Sequence, residues 1–129
     1  MSPTSEGESS IRGDLKVLGD FLRQEPLKNS VRVLILMSLG MNRHLGFTDL
    51  LELTSVSKGS LSHHLDQLAA AGYVRSRMVF TLAGPRLRVE ITAQGLEVFE
   101  RLTQSLSQVA SHDGGERESA GSATEPSSR

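Results

Sequence analysis

The chain has 129 residues, 37% of them hydrophobic and 22% charged, with no Cys, no Trp and a single Tyr. That length holds one domain with a modest core, and the missing cysteines exclude a disulfide framework, a thiolate metal site and a thiol nucleophile. The formal charge of −1, from 14 basic and 15 acidic side chains, argues at first sight against a polyanionic partner.

No stretch approaches the ~20 consecutive apolar residues that cross a bilayer. The opening MSPTSEGESS lacks the positive start and apolar run of a secretory leader. A cytoplasmic protein without membrane contact is therefore expected. Residues 1–10 and 111–129 are dominated by Ser, Glu, Gly, Thr and Pro. Such composition cannot offset the entropy of ordering, and both ends are expected to be disordered tails around a folded region over 11–110.

In chain order, Ile11, Leu15, Leu18 and Leu22 recur at helical spacing, and Pro26 should stop that first helix. Asn29 is placed to cap a second helix whose Val31, Val33, Leu34, Ile35, Leu36, Met37 and Leu39 are apolar nearly all round, the mark of a central helix. Gly40 and Asn42 are expected to end it. After the connection RHLGF, Thr48 can cap a brief helix carrying Leu50, Leu51 and Leu53. Ser57 caps a longer helix, predicted over 57–71, with Gly72 as its stop. The period then changes to alternation: Arg75 and Arg77, then Arg86, Arg88 and Glu90, alternate with mostly apolar neighbours around TLAGP. That pattern predicts a β-hairpin over 74–91 with one basic face. Thr92 caps a last helix whose Phe99, Leu102, Leu106 and Val109 repeat at three, four, three. The order predicts a mainly α fold with a small hairpin wing, a winged helix-turn-helix with extra helices at both ends.

The segment SKGSLSHHLDQLAAAGYV, residues 57–74, carries the functional signal. At about 100° per residue, Leu61, Leu65 and Leu68 form one buried seam. Opposite lie Gly59, His63, Asp66, Gln67 and Ala70, flanked by Ser60 and Ser62. A helix face that is small, hydrogen-bonding and nearly free of acids suits close approach to base edges in a major groove. Ser57, Lys58 and the helix N-terminus are placed for phosphate. His64 falls beside the seam and is expected half-buried and hydrogen-bonded inside the domain. His63 and His64, as i and i+1 neighbours, diverge too far to chelate one ion, and His63 with Asp66 lacks a third ligand. No metal, cofactor or catalytic set is implied, since there is no glycine-rich phosphate loop and no oriented Ser–His–carboxylate arrangement.

The charge average conceals a partition. Residues 11–111 hold 12 basic and 9 acidic side chains, and residues 57–90 hold five and two, so the predicted helix and hairpin carry the whole basic excess. Arg75, Arg77, Arg86 and Arg88 on one hairpin face can hold a phosphate backbone, although Arg is also common on a merely solvated edge hairpin. Leu15, Leu18, Leu22, Phe99, Leu102, Leu106 and Val109 are left over by a minimal three-helix winged domain. They can complete a monomer core or, as preferred, pair two chains into a homodimer.

These residues resemble the winged-helix transcriptional regulators of the ArsR/MarR superfamily, most closely the small one-domain group near MarR. NSVRVLILMSL matches the first core helix, FTDLLELTSVSKGSLSHHLDQLAAAGYV the helix-turn-helix, and RVEITAQGLEVFE the last wing strand running into the C-terminal helix. The resemblance spans about residues 28–102 and implies specific binding of double-stranded DNA by a homodimer. A separate reading, compatible with DNA binding, is a ligand sensor that takes a small-molecule effector between the dimerisation helices and the core, for which no polar anchors are legible. One departure is plain: Thr81-Leu82-Ala83 makes the wing tip apolar, where relatives carry Arg and Gly. The alternative function is a winged-helix protein–protein interaction module without specific DNA binding.

Overall fold

The computed structural model describes residues 3–112, and side chains from 11 to 111. Its elements are α1 (Pro3–Arg23), α2 (Ser30–Asn42), β1 (His44–Gly46), α3 (Phe47–Thr54), α4 (Lys58–Ala70), β2 (Val74–Thr81), β3 (Gly84–Ile91) and α5 (Ala93–His112). The chain divides into two compact units, Phe21–Arg101 and the two terminal segments Met1–Asp20 and Leu102–Arg129.

The Phe21–Arg101 unit is a helical layer closed by a three-stranded antiparallel sheet of order β1-β3-β2. Ile35, Leu36 and Leu39 of α2, Leu50 of α3, Leu61 and Leu68 of α4 and Val89 of β3 are wholly buried. Asn29 caps α2 as its sequence position suggested, its side chain accepting from the Val31 amide at 2.8 Å. Gly40 does not end α2, which runs on to Asn42 with Arg43 as its cap at φ 72°. Gly40 instead lets the Phe99 ring lie against the helix, where a Cβ would overlap that ring.

The connection before α3 is not a plain loop. His44, Leu45 and Gly46 pair with Glu90, Val89 and Arg88 of β3, and α3 starts at Phe47, ahead of the expected Thr48 cap. Asp49 reaches back to the Gly46 amide at 3.3 Å. Three residues are too few to show alternation. They form a strand because β3 offers an open edge.

A joint of backbone groups fixes the end of α4 to the start of α5. Gly72, at φ 85°, lets Tyr73 donate back to Leu68 O at 3.0 Å, which terminates α4. Thr92 Oγ1 donates to Gly72 O at 2.6 Å and accepts from the Gly95 amide at 3.0 Å. Gly95 lies so close to the Tyr73 carbonyl that a Cβ there would overlap it.

In the terminal segments, α1 is helical from Pro3, ahead of Ile11, the first helical residue expected from the apolar spacing. Proline is well suited to a first helical turn, because its missing amide is one that turn leaves unpaired anyway. The helix ends at Arg23, before Pro26, as expected. α5 continues to His112, and the remainder of the expected C-terminal tail lies outside the described residues. Among the described residues, no helix is long and apolar enough to cross a membrane.

Candidate nucleic-acid interface

α4 is built so that its two faces differ in kind. Ser57 caps it, accepting from the Ser60 amide at 3.1 Å, which leaves the hydroxyl proton free to donate outward. The amides of Lys58 and Gly59 precede the first intrahelical bond and, like the first amides of any helix, have no partner within it. Leu61, His64, Leu65 and Leu68 are buried. Ser57, Lys58, Gly59, Ser62, His63, Asp66 and Ala70 are exposed, with Ser60 and Gln67 half-buried. The outward face therefore offers small side chains, three hydroxyls, an imidazole, one ammonium and a single carboxylate, together with the positive end of the helix dipole.

His64 is held from within. Its Nδ1 accepts from Arg32 Nε at 3.0 Å, and Arg32 Nη1 donates to Glu25 Oε1 at 2.7 Å and, more weakly, to the Pro26 carbonyl at 3.4 Å. Burial, then the Arg32 charge, then His63 lower the His64 pKa below its ordinary value, so the ring is neutral and serves as an acceptor. The sequence marks Arg32 only as a lone charge inside an apolar helix. The network ties the α1–α2 connection and α2 to the recognition-type helix through the buried, satisfied Arg32 and His64, with the exposed Glu25 at its outer end.

The hairpin register puts Arg75 opposite Glu90, Arg77 opposite Arg88 and Val79 opposite Arg86. Directly opposed residues share a sheet face, so all four arginines lie on one side, with His44 joining them through its pairing with Glu90. Glu90 divides the set. Its carboxylate lies 3.6 Å from Arg75 Nη2 and 3.4 Å from Arg77 Nε. Among the described residues, Arg86 and Arg88 have no carboxylate within salt-bridge distance. Two guanidinium groups opposed across a ladder, Arg77 and Arg88, repel each other unless an anion lies nearby. A depression of about 410 Å³ opens beside them, lined in part by His44, Gly46, Arg86 and Arg88. Among the described residues there is no group of three or more His, Asp or Glu able to hold a metal.

The seven residues expected at a dimer contact separate into two sets. Leu102 is buried and Phe99 packs on Gly40, so both are already covered within the chain. Leu15, Leu22 and Leu106 are exposed, and Leu18 and Val109 half-exposed.

A buried helix-turn-helix, an acid-poor outward helix face and a basic hairpin define a winged-helix DNA-binding protein. A family profile described as winged helix DNA-binding domain matches residues 31–110, and the chain belongs to that family, one of DNA-binding regulators and not of enzymes. The fold is similar to that of the transcriptional regulator homologue from Pyrococcus horikoshii OT3, with 29% identity over 77% of this chain and 95% of that one, at a TM-score of 0.63. It is also similar to wild-type MarR from E. coli, at 18% identity, 89% and 85% coverage and TM-score 0.57. A third similar structure is NadR in complex with 4-hydroxyphenylacetate, at 20% identity, 93% and 82% coverage and TM-score 0.63. No curated protein sequence matches.

Proposed function

We propose that this DNA-binding regulator recognises specific double-stranded sites as a homodimer. In this reading α4 lies in the major groove and the hairpin holds the backbone. Ser57, Lys58 and the free amides of the first turn meet phosphate, while Ser60, Ser62, His63 and Gln67 face base edges. Arg86 and Arg88 grip the adjacent strand, with Arg75 and Arg77 contributing once drawn away from Glu90. The observation that carries the reading is the pairing of an exposed, nearly acid-free α4 face with four arginines on a single sheet face.

Two-fold pairing uses the exposed Leu15, Leu22 and Leu106 with Leu18 and Val109, and two copies of α4 then read half-sites about 34 Å apart. A small-molecule effector is supported by a cavity of about 290 Å³ lined by Leu22, Leu27, Lys28, Ser30 and Val33, at the lower limit of ligand-sized pockets.

Replacing Arg75, Arg77, Arg86 and Arg88 together with Glu tests the reading against a protein-interaction module. Duplexes selected from a random pool by the wild-type chain should be released by the variant. If the wild type retains no duplex at low salt, the DNA reading fails and the interaction module stands.

A further inference from the structure

We propose that the hairpin tip is an apolar wedge that enters the minor groove of the bound duplex and opens a base step. The inference rests on the DNA-binding reading above. Phe80 is 82% exposed and Met78 55%, and Leu82 is fully exposed at the turn. The ladder sets Met78 opposite Leu87 and Phe80 opposite Pro85, so Met78, Phe80 and Pro85 share the face turned away from the arginines. A hairpin edge that had only to remain soluble would carry charge there. Phe, Leu, Met and Pro are instead the side chains that wedge between base pairs from the minor groove.

The tip is stiff and long enough for this. Only Leu82 and Ala83 separate the strands, and Thr81 Oγ1 donates to Gly84 O at 2.8 Å while accepting from the Ala83 amide at 3.2 Å. Gly84, at φ 113°, supplies the left-handed backbone the tight loop needs. Strands of eight residues extend about 26 Å at ~3.3 Å per residue. Half a turn of duplex, from a major groove to the next minor groove, is about 17 Å. A hairpin rooted at the end of α4 can therefore cross one phosphate strand and reach that groove.

Charge selects DNA as the occupant. Arg86 lies opposite Val79, one position from Phe80, so an uncharged tip is carried on a cationic shank. That sequence of properties complements an apolar base step between two phosphate strands, and it is wasted on an apolar protein surface. Pyrimidine–purine steps unstack most easily and should be enriched where the tip falls.

The chain has no Trp, so Phe80→Trp creates a single reporter at the tip. With a duplex selected from a random pool by the full-length protein, its emission should be quenched, and it should become inaccessible to acrylamide, on binding. In a second measurement, the unaltered protein should raise the emission of 2-aminopurine placed in turn at the A·T steps of that duplex, by unstacking one of them. Phe80→Ser with Leu82→Ser should keep the thermal midpoint, bind about tenfold more weakly and abolish the 2-aminopurine signal. A duplex bound with unchanged 2-aminopurine emission at every step overturns the wedge and leaves the DNA-binding reading standing. Failure of the wild type to bind any duplex overturns both.

Discussion

His64 sits in α4 but turns inward, and its buried imidazole accepts from Arg32. Protonation would convert Nδ1 from an acceptor into a donor facing a guanidinium. The folded-state pKa is lowered by burial and then by Arg32, so near pH 6 the unfolded chain binds more protons than the folded one. The stability this contributes is complete above the unfolded value of about 6.5 and is lost as pH falls through the folded pKa. Urea denaturation at pH 7.5 and 5.5 should show a lower midpoint at the acid value. His64→Leu should remove that acid-linked loss, yet cost about 1–3 kcal/mol at pH 7.5, because Arg32 Nε is left without its acceptor. Leu65, buried on the same helix, should cost about 2–5 kcal/mol as Leu65→Ala by the same denaturation assay.

The arginines of the hairpin are not equivalent either. Glu90 already offsets Arg75 and Arg77, so Arg86→Ala and Arg88→Ala should weaken duplex binding more than Arg75→Ala. Each should reduce the log–log salt slope by about 1. Glu90→Gln should strengthen binding at low salt by releasing both partners. Fluorescence titrations over a salt series check the order, and equal losses at all three positions would contradict it.

Among the elements, glycine positions separate packing from propensity. Gly95, in the first turn of α5, lies against the Tyr73 backbone, which cannot yield as a side chain can. Gly95→Ala should destabilise by about 1–3 kcal/mol or more and disturb the joint between α4, the hairpin and α5. Gly13 lies in α1 with nothing within 4 Å of where a Cβ would stand, so Gly13→Ala should stabilise by up to about 1 kcal/mol. Opposite shifts in thermal midpoint are expected. The strand β1 is likewise a product of packing: HLG has no strand signature of its own, and it becomes one by completing the edge of β3.

For the molecule taken whole, a formal charge of −1 is a poor guide to partners because the charge is segregated. The α4–hairpin stretch carries five basic and two acidic groups. With about six phosphates neutralised per dimer, the log–log salt slope should be near −5. Leu15→Glu with Leu106→Glu should yield monomers in sedimentation and lose most of the affinity, since one subunit offers few cations. A slope near zero would contradict the charge reading.

The order of helices, the hairpin, the caps at Asn29, Ser57 and Thr92 and the inward seam of α4 are all legible in the amino-acid sequence. Each depends on local periodicity or on a side chain bonding its own backbone, and such signals are complete within a few residues. The common face of the four arginines is legible too, because alternation is a property of one strand. Folding in three dimensions was needed to show that Glu90 splits those arginines, that Arg32 holds His64, that Gly40 receives Phe99 and that β1 exists. These depend on residues far apart in the chain meeting at one place, with a register and a burial that no single segment encodes. The modest net charge that seemed to weigh against DNA is a sum over the chain. Binding depends on where those charges stand.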